Sequence, residues 1–190
     1  MQEKKMSVIL LEKKILPKKT IIFDFFSASG KITIFAKNLK NTEIDFFRLI
    51  EIEFSRGRNS NFLRCATAKK IFHNFSENFS TFQNGFLFLK ILKKIAHEKL
   101  IFENFAEIIL IFENFSAEFS RQFLLFFKIK ILQFEGIFPK IENEKISDST
   151  KKTVIFFLKN GISVAQKFFK KIPEKNFAEI EKILQKNFEF

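Results

Sequence analysis

Residues 20–40, TIIFDFFSASGKITIFAKNLK, contain two runs of alternating apolar residues joined by a Gly-containing segment at residues 27–30. This pattern predicts a β-hairpin, because the side chains of a strand alternate between its two faces and glycine allows the chain to reverse. The expected register opposes Phe25 to Ile32, Phe23 to Ile34 and Ile21 to Ala36. One face of the hairpin is therefore apolar throughout and should form part of a core.

The opposite face of the predicted hairpin combines cations with aromatic rings. It carries Thr20, Ile22, Asp24, Phe26, Lys31, Thr33, Phe35 and Lys37. Lysines beside exposed rings suit single-stranded nucleic acid, because ammonium groups attract phosphates and ring faces stack on bases. A half-solvated sheet face without a ligand has the same composition, so both interpretations stay open at this point.

Three further apolar runs, residues 6–12, 46–54 and 62–68, predict three more strands around the hairpin. Pro17 and the turn-rich residues 55–61 predict the loops after the first and the fourth strand. Five short strands within residues 1–78 are typical of a small barrel of the OB type. Such barrels bind oligonucleotides across one sheet face and through the loops that follow strands 1 and 4.

Both of those predicted loops are basic, the first through four lysines and the second through two arginines. Gly57 between the arginines allows a close bend, because it has no Cβ that could clash. Together with the outer face of the hairpin, the loops form the predicted DNA-binding site. Its residues are Lys13, Lys14, Lys18, Lys19, Lys31, Lys37, Lys40, Arg56, Arg58, Phe35 and Phe26.

The apolar period changes from 2 to 3.6 near residue 69, which predicts that the rest of the chain is helical. The predicted helices cover residues 86–97, 100–114, 116–135, 153–160 and 163–171, with a last helix after Pro173. Ser116 is expected to cap the third helix and Gly136 to end it, and its nearly continuous apolar sequence places it at the centre of a bundle. The predicted fold is thus α+β, with an OB-fold domain at residues 1–78 and a helical domain at residues 79–190.

Composition limits the function classes that fit this chain. A formal net charge of +12 favours polyanionic partners, either nucleic acid or an anionic lipid surface. Cys65, His73 and His97 are too few and too scattered for a zinc site or a disulfide framework. The sequence has no Gly-rich phosphate loop and no cluster of acids that could hold catalytic metals. We therefore expect a protein that is not an enzyme and has neither cofactor nor metal.

The apolar runs also give an expectation for the cellular location of the protein. Charged residues interrupt every run before it reaches the roughly 18 residues that a membrane span requires. The first residues, MQEKKMSVILLEKK, lack a small-residue cleavage site for secretion. We therefore expect a cytoplasmic protein with no membrane partner.

The order of these features resembles the RecO family of bacterial recombination mediators. Four segments carry the resemblance: SASGKITIFAKNLK at residues 27–40, DFFRLIEIEFSRGRNSNFLRCATA at residues 45–68, FLLFFKIKILQFEGIFPKI at residues 123–141, and the C-terminal helices. Two departures stand out. The zinc-binding CxxC loop that the family often has is replaced by residues 140–146, which contain no ligand, so no zinc motif is expected. Asn38 stands where the family usually has Gly.

The resemblance implies a protein that binds and anneals DNA and helps to load RecA onto DNA coated by single-strand binding protein. Its implied partners are single- and double-stranded DNA, RecR, and the acidic C-terminal tail of single-strand binding protein. Candidate residues for binding that tail are Lys90, Lys93, Lys94 and Arg121. Two alternatives stay open, an OB-type RNA-binding protein and a peripheral membrane or assembly protein that sets residues 90–97 against anionic lipid.

Overall fold

The computed structural model describes residues 2–37, 43–58, 60–95 and 105–185, which divide into two compact units, Met1–Phe105 and Ala106–Phe190. The first unit contains β1 (Gln2–Leu16), β2 (Thr20–Ser27), β3 (Gly30–Lys37), β4 (Arg48–Arg56), β5 (Asn61–Ile71) and α1 (Phe79–Ile95). After it come α2 (Phe105–Asn114), α3 (Ser120–Phe134), α4 (Asp148–Lys159), α5 (Ile162–Ala165) and α6 (Glu174–Gln185). Strands followed by helices confirm the predicted α+β class.

The first unit extends beyond its strands. The predicted domains meet after residue 78, where strand periodicity gives way to helix periodicity. Helix α1 follows that point yet belongs to the first unit, since its Lys93 forms an ion pair with Glu12 of β1 at 2.8 Å. The boundary between compact units lies after Phe105.

The hairpin β2–β3 has the predicted register, with Phe25 opposite Ile32, Phe23 opposite Ile34 and Ile21 opposite Ala36. Ser27 and Gly30 also pair, so the turn has two residues rather than the expected four. Ser27 Oγ donates to the Gly30 carbonyl oxygen at 2.9 Å. Gly30 has a φ of 89°, a left-handed conformation that favours glycine. The sequence therefore predicted the pairing of the hairpin correctly and overestimated the length of its loop.

The five strands close into a ring in the order β1-β2-β3-β5-β4, with β4 paired to β1. Neighbours are antiparallel except β3 and β5, which run parallel and pair at Ile34–Asn61 and Phe35–Phe62. The inward-facing side chains form an apolar core that includes Val8, Leu10, Phe23, Phe25, Ile34, Ile50, Ile52 and Phe54. The apolar face predicted for the hairpin is part of this core.

Strand β1 is longer than the strand predicted at residues 6–12. It runs from Gln2 to Leu16 and so includes Lys13 and Lys14, which were expected in a loop. The prediction is wrong because β1 pairs with β4 over its first half and with β2 over its second half. Both pairings form backbone hydrogen bonds, which do not depend on the side chains. The pattern of apolar residues therefore does not predict how far the strand extends. The connection to β2 is a short 3₁₀ turn at Pro17–Lys19.

Helix α3 has the buried position that its sequence predicts, with Phe123, Leu125, Phe126, Phe127, Ile129, Lys130, Ile131 and Leu132 all buried. It ends at the predicted glycine. Gly136 has a φ of 68°, its N–H donates to Gln133, and the next N–H donates to Leu132, which together form a Schellman motif. The predicted start is wrong, because a 3₁₀ turn at Ala117–Phe119 precedes α3 and the Ser116 side chain makes no capping hydrogen bond.

The other helices of the second unit differ from prediction mainly at their ends. Helix α4 begins at Asp148, inside a segment predicted as a loop, because Ser147 Oγ accepts the Thr150 N–H and caps the helix. The helix predicted at residues 163–171 is the short α5 followed by a 3₁₀ helix at Gln166–Lys171. In α6 the predicted buried residues Phe177, Ile180, Ile183 and Leu184 are buried. Phe188 and the predicted helical residues 96–97 and 100–104 lie outside the described residues.

Candidate nucleic-acid interface

A cavity of about 410 Å³ opens in the first unit, beside the turn of the hairpin. Its wall comes from β1, the β2–β3 turn, β3, the end of β4 and the residues at the start of β5. The lining residues that matter most for its chemistry are Lys4, Lys31, Phe35, Phe54, Arg56 and Asn61. Three of these, Lys31, Phe35 and Arg56, belong to the predicted DNA-binding set.

Strand pairing explains why a cavity forms at this place. Strands β3 and β5 pair at Ile34–Asn61 and Phe35–Phe62. Within the described ranges, residues 31–33 have no partner on the β5 side of β3, so the sheet opens there. The Asn61 side-chain amide reaches across and donates to the Thr33 carbonyl oxygen at 3.2 Å. The edge of β3 is therefore accessible at the cavity wall.

The antiparallel pairing of β1 and β4 brings two cations to the same wall. Lys4 lies opposite Phe54, and Arg56 lies opposite Gln2, two residues from Lys4 on β1. Because side chains alternate along a strand, Arg56 points to the same face as Phe54, whose ring belongs to the core. Two basic side chains, Lys4 and Arg56, therefore lie where the apolar core meets the opening of the cavity.

The cations of the cavity differ in their partners. Lys31 Nζ lies 3.3 Å from Asp24 Oδ2, and Asp24 Oδ1 accepts a hydrogen bond from Thr33 Oγ1 at 2.6 Å. In the part of the chain that the structure describes, Lys4 and Arg56 have no acidic partner. A bound anion would therefore meet two positive charges that no neighbouring carboxylate has already compensated.

Aromatic and aliphatic side chains form the rest of the wall. Phe35 is partly exposed and its ring centroid lies 6.2 Å from that of Phe62, which is 42% exposed. Ile32 and Phe54 contribute apolar surface behind the cations. The arrangement offers ring faces next to positive charge, the combination that single-stranded nucleic acids require.

The exposed position expected for Phe26 is wrong. Phe26 lies on the outer face of the hairpin, as predicted, but it is fully buried. Its ring packs against that of Phe105, the last residue of the first unit, at a centroid distance of 5.5 Å. Strand alternation gave the correct face, but that face is partly covered, so the Phe26 ring has no surface for stacking on a base.

The loop between β4 and β5 is a tight turn closed by a hydrogen bond from the Gly57 N–H to the Ser60 carbonyl oxygen at 2.8 Å. A Cβ at residue 57 would lie 2.9 Å from that oxygen, which confirms that the bend needs glycine. Arg58 is exposed on this loop but does not line the cavity. Arg56 and Arg58 are therefore close in sequence but have different surroundings.

The predicted lysines of the β1–β2 loop form a second group at the other end of the hairpin. Lys18 and Lys19 are exposed in the turn, with φ angles of 61° and 55°, and the exposed Lys37 lies opposite Thr20 at the same end. The cavity lies at the end where Ser27 meets Gly30, roughly 23 Å away at about 3.3 Å per residue. The predicted cations thus form two groups, and the outer face of β3 lies between them.

Lys13 and Lys14 lie on β1 between these two groups. Lys14 forms an ion pair with Glu12 at 3.0 Å. Lys13 Nζ lies 6.0 Å from the centroid of the Phe23 ring. Lys40 and Asn38 lie outside the described residues. The contribution of Lys14 to an open positive surface is reduced by its carboxylate partner.

The residues predicted to bind a partner tail are divided between the two units. Lys90, Lys93 and Lys94 are exposed along α1, and Lys93 contacts Glu12. Hydrogen bonds from Lys93 and Lys14 lower the pKa of Glu12. This ion pair gives Lys93 a role in attaching α1 to β1.

Arg121 of the second unit is held by two carboxylates, contrary to the expectation of an open cation. Its guanidinium donates to both oxygens of Glu181, each at 2.7 Å, and also contacts Glu174. The hydrogen bonds from Arg121 lower the pKa of Glu181. Arg121 therefore connects α3 to α6, and its charge is balanced within the unit.

The sequence pattern did not indicate that Lys4 and Asn61 would line the cavity. Lys4 precedes the predicted first strand, so the apolar pattern gave no reason to place it in a sheet. Asn61 was expected in a loop, whereas it is the first residue of β5 and joins β3. A signal for Lys4 was available in the alternation of Lys4, Met6 and Val8, which share one face when β1 is extended to Gln2.

The described residues contain neither a cluster of metal ligands nor a helix that could span a membrane. No group of three or more His, Cys, Asp or Glu side chains in these ranges could hold a metal ion. Among the helices described, none is long and apolar enough to cross a membrane.

Comparison with protein-family models and with curated proteins finds no match to this chain. The resemblance to the RecO family therefore rests on the four segments quoted above.

Proposed function

We propose that this protein is a non-catalytic DNA-binding mediator of recombination in DNA repair, similar in role to RecO. It binds DNA, anneals complementary strands and assists the loading of RecA onto DNA coated by single-strand binding protein. Such a protein acts in the cytoplasm, where its substrate is. The DNA-binding part of the proposal has two supports, the basic cavity of the first unit and the order of its strands.

The strand order supports an OB-type barrel. In this ring β1 pairs with both β2 and β4, and a parallel pairing of β3 with β5 completes it. A five-stranded Greek-key barrel of the OB type binds oligonucleotides on its sheet face and through the loops after strands 1 and 4. Both loops carry cations in this chain, Lys18 and Lys19 in the first and Arg58 in the second.

The observation that carries the proposal is the cavity in which Lys4 and Arg56 lie beside the ring of Phe35. Two cations without acidic partners in the described ranges suit phosphates, and a partly exposed ring suits bases. The second group, Lys18, Lys19 and Lys37, lies along the same hairpin. A strand that follows the outer face of β3 would meet both groups in succession.

The mediator activity and the protein partners come from the resemblance. RecR and the acidic tail of single-strand binding protein are the proposed partners, and Lys90 and Lys94 are the proposed cations for the tail. The buried apolar side of α1, which includes Leu89, Ile91 and Leu92, faces the interior. Phe79, Phe82, Phe86 and Leu87 of the same helix are exposed, as are Lys90 and Lys94. An exposed surface that is both apolar and basic suits the acidic, apolar-ended tail of a protein partner. Binding to anionic vesicles that is stronger than binding to the oligonucleotide would favour the alternative in which α1 lies on a lipid surface.

The test of DNA binding is a titration of a dye-labelled oligonucleotide by fluorescence anisotropy across a range of salt concentrations. If about six phosphates are contacted, log affinity should fall with log salt at a slope near −4 for single strands, at about 0.7 per contact. The double change Arg56→Ala and Arg58→Ala should weaken binding and reduce the slope to about −3. The double change Lys140→Ala and Lys167→Ala, at exposed positions of the second unit, removes the same charge and should leave the slope near its original value.

Three further readouts separate the alternatives. Binding that does not respond to salt, or that is absent at low salt, would refute the proposed function. An RNA oligonucleotide of matched sequence that binds more tightly than DNA would favour the RNA-binding alternative. Annealing of complementary strands, with and without a peptide of the single-strand binding protein tail, tests the mediator role.

A further inference from the structure

The cavity has the dimensions of a site for one small ligand rather than for a duplex. Its volume of about 410 Å³ lies in the lower part of the roughly 300–1,000 Å³ range of small-molecule sites. A base that is paired within a duplex is stacked between its neighbours and must be extruded before it can enter such a cavity. A cavity of this size, closed at the back by the barrel core, admits one base with its sugar and phosphate.

The side chains of the cavity wall change from basic at its opening to apolar towards the barrel core. The cations Lys4 and Arg56 come from the ends of β1 and β4, where the chain leaves the core. Ile32 and Phe35, which are both partly exposed, line the cavity with them, whereas Phe54 is 2% exposed and belongs to the core. A phosphate at the cations would thus place its base against apolar surface.

The opened edge of β3 provides the polar contacts that a base needs. The side-chain amide nitrogen of Asn61 donates a hydrogen bond to the Thr33 carbonyl oxygen at 3.2 Å. This bond orients the amide group and leaves its oxygen directed away from Thr33. An amide oxygen accepts hydrogen bonds, and the exocyclic amino groups of bases donate them. Ser29 and Ser60 also line the cavity, and a serine hydroxyl can donate and accept hydrogen bonds. These groups are available only to a base whose hydrogen-bonding edge is not paired with another base.

We propose that this cavity binds one unpaired nucleotide of a DNA strand, with its phosphate at Lys4 and Arg56 and its base against Ile32 and Phe35. The inference rests on the proposed DNA-binding function and makes it more specific. Strands in which a base is free would be bound at the cavity, whereas a blunt duplex would be limited to phosphate contacts outside it. Removing a base from a duplex costs unstacking and unpairing energy that a single strand does not have to supply.

The test compares a single-stranded oligonucleotide of roughly 15 nucleotides, within the range of one OB-fold site, with the blunt duplex of the same sequence. The single strand carries one 4-thiothymidine, which forms a covalent adduct with adjacent side chains under near-ultraviolet light. Mass spectrometry of the digested adduct identifies the peptide that the base contacts. The expected adducts lie on the peptide that contains Ile32 and Phe35, and the single strand should bind about tenfold or more tightly than the duplex, as expected for one stacked base.

Variants test the roles of the two cations. Lys4→Ala and Arg56→Ala are changes at exposed positions on strand ends, and each should reduce the yield of these adducts. Far-ultraviolet circular dichroism confirms that each variant is folded. The double variant Lys140→Ala and Lys167→Ala should give the adduct yield of the unchanged protein.

The outcomes separate this inference from the proposed function. Adducts confined to the peptides around Lys18, or a duplex bound as tightly as the single strand, would overturn the nucleotide site and leave DNA binding intact. Absence of binding to both oligonucleotides would overturn both. Adducts in the cavity that are lost in both cation variants would establish the site.

Discussion

Gly85 lies within α1, at a position where alanine normally stabilises a helix by about 1 kcal/mol. An added Cβ would lie 2.5 Å from Cε1 of Phe47 and 2.8 Å from Cδ1 of Phe75. Both rings are buried, and they stack on one another with centroids 5.0 Å apart. The aromatic cluster therefore needs the backbone of α1 to approach without a side chain.

We expect Gly85→Ala to lower the free energy of unfolding by about 1–3 kcal/mol, because overpacking against buried rings outweighs the gain in helix propensity. Urea unfolding followed by circular dichroism measures this difference. Gln83→Ala, at an exposed position of the same helix, should have little effect or be slightly stabilising. A more stable Gly85→Ala variant would show that Phe47 and Phe75 move away at little cost.

Phe47 is a residue whose conformation the strand pattern did not predict. It was expected inside a strand at residues 46–54, but it has a φ of 56° and lies outside β4, which begins at Arg48. A left-handed conformation costs a residue with a Cβ roughly 1–2 kcal/mol. Contacts with the rings of Phe75, Phe82 and Phe86 offset this cost. The packing partners lie far along the chain, so the local sequence does not reveal the turn.

At the scale of elements, the start of α4 depends on a carboxylate from α6. Glu179 accepts hydrogen bonds from the backbone N–H and the hydroxyl of Ser147, both at 2.9 Å. These bonds, together with one from Thr150, lower the pKa of Glu179 to about 2. Because the pKa is lower in the folded state, the charged form stabilises the fold above the unfolded pKa of about 4.3. This contribution is lost as the pH falls through about 2.

We expect Glu179→Gln to be less stable than the unchanged protein at neutral pH and the two proteins to converge as the pH falls from about 4.3 towards about 2. The convergence follows because a protonated Glu resembles Gln. Thermal unfolding by circular dichroism at a series of pH values measures it. Glu142→Gln, at an exposed position, serves as the control. A gap in stability that stays constant across this pH range would contradict the proposed linkage.

At the scale of the whole ring, the pairings differ greatly in extent. In the described residues β3 and β5 pair only at Ile34–Asn61 and Phe35–Phe62, whereas β2 and β3 pair along their full length. Fewer backbone hydrogen bonds per strand mean a lower free energy of local opening. The weakest place in the ring is therefore the β3–β5 junction, next to the cavity.

We expect amide hydrogen exchange to be faster at Asn61 and Phe62 than at Ile50 and Ile52, which lie between β1 and β5 in the core. Native-state exchange followed by mass spectrometry or NMR measures the difference. Addition of a saturating single-stranded oligonucleotide should slow exchange at the junction, because a ligand that binds the closed form stabilises it. Equal protection of the two regions would show that the ring opens as one unit.

The sequence by itself determined the α+β class, the hairpin register and the buried faces of α3 and α6, because these depend on periodicity within one element. It also placed Gly57 and Gly136 at bends, since the residue type limits the local backbone. Tertiary structure decided the length of β1, the burial of Phe26 and the pairing of Arg121 with Glu181. It also decided that Lys4 and Arg56 meet at one cavity. These features depend on residues brought together from distant parts of the chain, and no pattern within a single segment encodes such a contact.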